Sequence, residues 1–178
     1  MIYNLSLLSP EIRKTIENST KLRELFSQYP ESLLSVGNDA KTVKGEKMEF
    51  LTGILYLSPA DISVENICAM AFIADCAGPC LFTAGRGAMS NVFYGRLRKT
   101  LYWQQYRGLF LNTLSDDIAK LKRKAAKIGF KPVIRLNGTS DIRFERFGII
   151  QAHNDIQFMD YTKLTNRRNL PDNYDLTF

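Results

Sequence analysis

The chain has no apolar run long enough to span a bilayer. Its longest apolar stretches, such as Ile67 to Ile73, are interrupted and fall far short of the roughly 18 consecutive apolar residues that a span requires. Leu5, Leu7 and Leu8 come early, but no basic segment precedes them and no small-residue cleavage site follows a long apolar core, so the sequence predicts neither a secretory signal nor a membrane partner. The expected location is the cytoplasm. Cysteine is scarce and odd in number, three residues in 178, and histidine occurs once. Three thiols in a reducing compartment exclude a disulfide framework and leave metal binding, reactivity or plain burial. No internal repeat and no low-complexity tract is present.

What the chain does have is a 45% hydrophobic content, 24% charged residues and a net charge of +6. The first two are ordinary for one globular domain. The third favours an anionic partner, either nucleic acid or a phosphorylated small molecule, through long-range attraction.

Ser9-Pro10-Glu11 supplies an N-cap followed by proline at the first helical position, and Ile12, Ile16, Leu22, Leu25 and Phe26 follow near helical spacing. One or two helices are therefore expected before Pro30. Residues 37 to 46 carry two glycines and four charges without periodicity, as a loop or hairpin tip would. Residues 50 to 57 read as a strand. Helices are predicted over 91–106 and from Phe110 to the stop at Gly129, the second with acidic residues early and basic residues late, as the helix dipole favours. Apolar segments at 132–136, 156–159 and 174–178 complete a set of strands, with a short amphipathic stretch at 142–150.

Strands separated by helical crossovers imply parallel pairing. The expected fold is thus α/β, an open or partial-barrel, mainly parallel sheet with helices and an N-terminal helical segment. One domain is expected over 1–178, comprising a helical extension at 1–34 and a core at 35–178.

Ligands in such folds collect outside the carboxyl ends of the strands. That rule selects three sets of residues: Cys68, Cys76 and Cys80 after the first central strand, Asn137, Ser140 and Asp141 after the second, and Asp160, Tyr161 and Lys163 after the third. All are expected at one mouth. The cysteines have seven residues between the first pair and three between the second, close enough for three soft thiolates to wrap zinc or an iron–sulfur cluster and leave one coordination position open. The competing reading packs them as small apolar residues. His153 is distant in sequence and expected in a surface loop.

Asp160, Lys163 and Asp141 are the candidate acid, base or ligand groups. Arg86, Arg135, Asn137, Ser140 and Tyr161 are the candidate substrate contacts. Arg86 stands between two glycines before a helix, where amides and a guanidinium can meet an anion or where the turn is simply solvated. Arg135 is a charge inside an apolar strand, which demands an ion pair or a cavity. Arg96, Lys99 and Trp103 share a helical stripe fit for phosphate contact and base stacking, and the basic face from Lys120 to Lys127 is either solvated or a second phosphate contact.

Several stretches together are distinctive: Ser35 to Gly45, Cys76 to Gly87, Arg135-Leu136-Asn137-Gly138-Thr139-Ser140-Asp141-Ile142, Asp160-Tyr161-Thr162-Lys163, and Asn173-Tyr174-Asp175-Leu176-Thr177-Phe178. From about residue 35 onward the chain resembles the phage and plasmid family named after "gene product eighty-eight". The resemblance implies a mobile-element origin, hence the cytoplasm of a host cell, and no settled activity. Family members continue past the position matching Phe178 and commonly carry proline where this chain has Ala69, so the resemblance also implies a chain shortened at its C-terminus.

Three functional expectations follow. The first is an enzyme-like domain that depends on a metal or iron–sulfur cluster and binds an anionic small molecule or nucleotide through Arg86, Arg135, Asn137 and Lys163. Its layout is similar to that of radical S-adenosylmethionine enzymes, although their three-and-two cysteine spacing is absent. The second is a nucleic-acid-binding module without catalysis, and the third a phage protein that binds a host protein.

Overall fold

A computed structural model describes residues 1–37, 48–59, 62, 66–76, 80, 87 and 89–178. The chain divides into two compact units that interleave in sequence, one formed by Met1–Glu31 with Leu57–Phe110 and the other by Ser32–Tyr56 with Leu111–Phe178.

The first unit is helical among its described residues. The Ser9 hydroxyl accepts from the Ile12 amide at 3.4 Å and starts α1, Pro10–Asn18, with proline at its first position. Ser19 both ends α1 and caps α2, Thr20–Leu25, by accepting from the Leu22 amide. Each cap satisfies a backbone donor that the first helical turn otherwise leaves orphaned. The long helix α3, Ser90–Gln105, buries Leu97, Leu101, Tyr102 and Trp103. Tyr3 meets Phe26, Tyr29 and Tyr106 edge to face, and Tyr29 stacks on Tyr102. Such rings contribute large buried areas and favourable quadrupole geometry. The Tyr106 hydroxyl donates to the Ile2 carbonyl at 2.6 Å, which ties the N-terminus to α3.

The second unit carries the sheet. Its strands, β1 (Leu34–Val36), β2 (Phe50–Leu55), β3 (Lys131–Arg135), β4 (Gln157–Tyr161) and β5 (Tyr174–Thr177), lie side by side in chain order. β1 runs antiparallel to β2, and every later pair is parallel. The sheet is open rather than closed, as an α/β assignment with a mostly parallel sheet anticipates. Helix α4, Arg107–Lys127, leads into β3 and buries Leu114, Ile118, Leu121 and Ala125 at helical spacing. Gly129 ends this crossover in the left-handed region, φ +74°, where a residue without Cβ is favoured. A 3₁₀ turn, Phe144–Phe147, and the short α5, Ile149–Ala152, join β3 to β4.

Strand β1 is the element that the sequence reading missed, having assigned everything before residue 35 to a helical extension. It is held by Asp117 of α4, whose buried carboxylate accepts from the Ser32 hydroxyl and from the Leu33 and Leu34 amides at 2.8, 2.6 and 3.2 Å. Close approach also needs glycine twice. A Cβ on Gly53 would lie 3.0 Å from Leu121, and one on Gly138 only 2.7 Å from the Leu55 carbonyl oxygen. The Gly138 amide donates to that same carbonyl at 3.0 Å.

Candidate functional site

Alternation along a strand sends successive side chains to opposite faces. In β4, Phe158 and Asp160 are buried while Gln157, Met159 and Tyr161 are exposed. Register carries the pattern across the sheet: Ile54 neighbours Arg135, Val133 neighbours Gln157, and Tyr161 neighbours Thr177. The result is one face sealed against α4 and a second face holding a half-open hollow of about 800 Å³. Buried Ile54 and Val133 line its floor. Phe50 and Thr52 lie toward one end, Arg135 and Tyr161 at the other, and Asp175 and Thr177 along β5.

Arg135 is the cation among the residues that line the hollow, together with the carboxylates of Asp160 and Asp175. Its Nε sits 3.8 Å from Asp160 Oδ1, too far for a hydrogen bond, and is buried with no hydrogen-bond partner among the described residues. Its guanidinium lies over the Tyr161 ring, 4.9 Å from the centroid. An ion pair without hydrogen bonds, plus a cation–π contact, holds the side chain in place and leaves donor capacity unused.

Behind the hollow, on the sealed side, lies a dense polar network. Asp160 accepts from the Leu136 and Asn137 amides at 3.3 and 2.8 Å, from Asn137 Nδ2 at 3.2 Å and from the Tyr174 hydroxyl at 3.1 Å. Burial pushes this carboxyl up to about 6, although the Asn137 backbone amide, the Tyr174 hydroxyl, Arg135 and the Asn137 side-chain amide all pull the other way. Desolvation therefore outweighs four favourable contacts. Asn137 is fully used as well: Nδ2 donates to the Ile142 carbonyl, and Oδ1 accepts from the Ser140 hydroxyl and the Ile142 amide.

One step along the loops, Asp141 accepts from the Thr162 hydroxyl at 2.8 Å, the Lys163 amide at 2.9 Å and Arg167 Nη1 at 3.1 Å. Arg167 also forks onto Glu145 and donates to the Tyr174 hydroxyl. This buried guanidinium thus joins the exits of β3 and β4 to the start of β5. Burial presses its charge down, and the Glu145 and Tyr174 contacts overcome that, so it is held above its ordinary range.

The structure therefore sorts the expected site residues. Arg135 and Tyr161 meet at the hollow. Asn137, Ser140, Asp141 and Asp160 are gathered nearby as anticipated, but they are buried and engaged by internal donors and acceptors. Their hydrogen bonds run to the strand ends and loops around them. Lys163 is exposed, with Nζ 6.0 Å from the centroid of the Phe178 ring.

Other expectations fall in the first unit. Cys68, Cys76 and Cys80 remain thiols and are half-buried. Cys68 and Cys76 bracket a compact set of turns in which the Ala71 amide donates to the Cys68 carbonyl and the Cys76 amide to the Ala71 carbonyl. Among the described residues, no three His, Cys, Asp or Glu side chains are gathered closely enough to hold a metal ion. Arg86 lies outside the described residues. Trp103, expected to stack on bases, is only 3% exposed. Its ring packs edge-on against Phe110 under the guanidinium of Arg107, so its aromatic face serves the core. Arg96 and Lys99 are half-buried. Among the described residues no helix is long and apolar enough to cross a membrane.

Two features escaped sequence reasoning altogether. Arg167 is the first, since nothing local distinguishes it from Arg168 beside it. The second is a contact between Ser115 and His153, Oγ to Nε2 at 2.9 Å. His153 is half-buried rather than loop-exposed, and burial holds its pKa below the ordinary value.

No curated protein and no solved structure matches the chain. A family model does, over residues 32–178, which takes in β1, every later strand and the whole polar network behind the hollow; by that match the chain belongs to the Gene product 88 family.

Proposed function

We propose that this protein binds an anionic small molecule of the nucleotide type in the hollow on the sheet face, with Arg135 as the anion anchor. The observation that carries the reading is Arg135 itself, a mostly buried guanidinium on the hollow floor whose Nε has no hydrogen-bond partner among the described residues. Asp160 at 3.8 Å balances its charge without a hydrogen bond, and a buried donor left unmet is costly. A phosphate or carboxylate can take the unused donors in the charge-assisted geometry that guanidinium favours.

Tyr161 supplies a flat surface next to the anchor, while Ile54, Val133 and Met159 supply apolar floor and Gln157, Asp175 and Thr177 polar edges. An apolar hollow with a few convergent polar groups is the usual form of a small-molecule site. Arg135 and Tyr161 are the last residues of β3 and β4, at the carboxyl ends where parallel sheets bind ligands. The buried network fixes the loops that frame it.

Isothermal titration calorimetry with ADP, ATP and pyrophosphate tests this reading. Saturable binding that Arg135→Ala weakens about 10- to 100-fold, the equivalent of one charged hydrogen-bonded contact, is the expected result. Absence of heat with all three, or equal affinity in the variant, overturns it.

A further inference from the structure

We propose that the hollow selects a guanine nucleotide, with the phosphate on Arg135 and the Watson–Crick edge of the base on the carboxylate of Asp175. The inference rests on the reading of Arg135 as an anion anchor and names the base that accompanies the anion.

Arg135 and Asp175 both line the hollow, and two contacts put them on one face of the sheet. The Arg135 guanidinium lies over Tyr161 of β4, 4.9 Å from the ring centroid. Gln157, which shares the exposed side of that strand, donates from Nε2 to Asp175 Oδ2 at 3.1 Å. β3 and β5 flank β4, so two strand spacings, about 10 Å, separate the anchor from the carboxylate. A nucleoside monophosphate covers such a gap between its phosphate and the far edge of its base. Met159 stands in register with Asp175 and is 40% exposed, which gives ribose and base an apolar, adaptable surface on the way.

The two sides of the hollow ask for opposite groups. Arg135 offers donors alone, whereas Gln157 and Asp175 offer acceptors alone. Gln157 Nε2 donates to the Phe158 carbonyl at 2.9 Å as well as to Asp175. Both partners are acceptors, which fixes the amide orientation and leaves its Oε1 without a donor among the described residues. Asp175 spends this one bond out of the roughly four that a carboxylate can accept. Asp160, the other carboxylate of the hollow, is already met by two backbone amides, the Asn137 side chain and the Tyr174 hydroxyl.

Unspent acceptors call for a ligand edge made of donors, and a ligand that lacks them is rejected. Guanine presents two adjacent donors, N1–H and the 2-amino group, which a carboxylate can take as a bidentate pair. Adenine and cytosine set a ring acceptor beside their single amino group, and uracil flanks its one N–H with carbonyls. Each of these would turn a lone pair toward Asp175.

Isothermal titration calorimetry with GMP, IMP, AMP and pyrophosphate tests the proposal. GMP is expected to bind about 10- to 150-fold more tightly than IMP, which lacks only the 2-amino group, as one hydrogen bond to a charged group provides. AMP is expected to bind no better than IMP. Asp175→Asn keeps the shape and removes the charge, so it should weaken GMP by a similar factor and leave AMP and pyrophosphate unchanged. Arg135→Ala should weaken all four. Asp175 is exposed, and circular dichroism verifies that its variant folds.

Equal affinity for GMP and AMP overturns the proposal, as does a preference for GMP that survives in Asp175→Asn. Equal weakening of GMP and AMP in that variant assigns the carboxylate to the ribose hydroxyls that both share, and overturns it too. If pyrophosphate or AMP binds through Arg135 while GMP gains nothing, the guanine is wrong and the anchor stands. If none of the four binds, both readings fail.

Discussion

The two faces of the sheet are written in the same strands, one residue apart, and treat charge in opposite ways. On the sealed face Asp160 is surrounded by amides, an amide side chain and a phenol, while Asp141 and Glu145 share Arg167. On the hollow face Arg135 keeps a 3.8 Å ion pair and a ring beneath it. A buried ionic group whose valences are met internally holds structure together, whereas one whose donors are unspent is positioned for something external. Proximity to the strand ends does not separate the two roles. Saturation does.

The sharpest way to break that comparison is Arg167→Ala. Removing this guanidinium strands Asp141 and Glu145 in a buried setting, and a loss of about 3–5 kcal/mol in unfolding free energy is expected by urea denaturation. A loss under about 1 kcal/mol would mean that the network does not carry the sealed side. Gly138→Ala comes next. Its methyl would press on the Leu55 carbonyl, and overpacking of this kind costs about 1–3 kcal/mol, readable as a lowered midpoint with ligand affinity measured separately.

Proton linkage sharpens the same contrast. Asp160 titrates at about 6 in the folded protein because burial disfavours its charge, against about 3.9 when unfolded. The folded state therefore binds more protons in between. This group's contribution to stability is complete below about pH 4 and is lost as pH rises through about 6. Comparing urea midpoints at pH 4.5 and 7.5 isolates it: Asp160→Asn should have a smaller decrease, or larger increase, toward pH 7.5 than the parent. An unchanged pH response removes Asp160 as its source. The smallest expected effect on stability is that of Tyr161→Ala, within about 0.5 kcal/mol as for surface changes generally. A loss above about 2 kcal/mol would place that ring in the structural set.

Much of this could be read before any coordinates. The caps at Ser9 and Pro10, the stop at Gly129 and the apolar segments at β3 to β5 are local signals, and local signals survive folding. The loops after β3 and β4 were likewise identifiable as neighbours, because parallel crossovers fix where strand ends gather. What stayed hidden depends on distant partners. Strand β1 exists because Asp117, some 84 residues later in the chain, supplies an acceptor to its backbone. Asp141 and Asp160 stand out in the sequence by residue type, which does not show that Arg167 and Tyr174 donate to their oxygens. The alternation Gln157-Phe158-Met159-Asp160-Tyr161 did contain the exposed face, had its odd positions been weighed as a surface in their own right.

The second unit is discontinuous, since residues 57–110, which include the first turn of α4, are interposed between β2 and the rest of the chain that leads into β3. The β1–β2 and β4–β5 pairs each join segments a dozen or so residues apart, whereas β2 and β3 are far apart in the chain. Each parallel pair requires a segment made later, and β2 must stay without its parallel partner until β3 has been synthesised. Pairings of such long sequence separation are paid for in loop entropy before they are rewarded, which slows folding. An emerging chain of this protein thus exposes an unfilled strand edge for the time needed to make some 75 further residues, and that interval is when aggregation or chaperone capture would act on it.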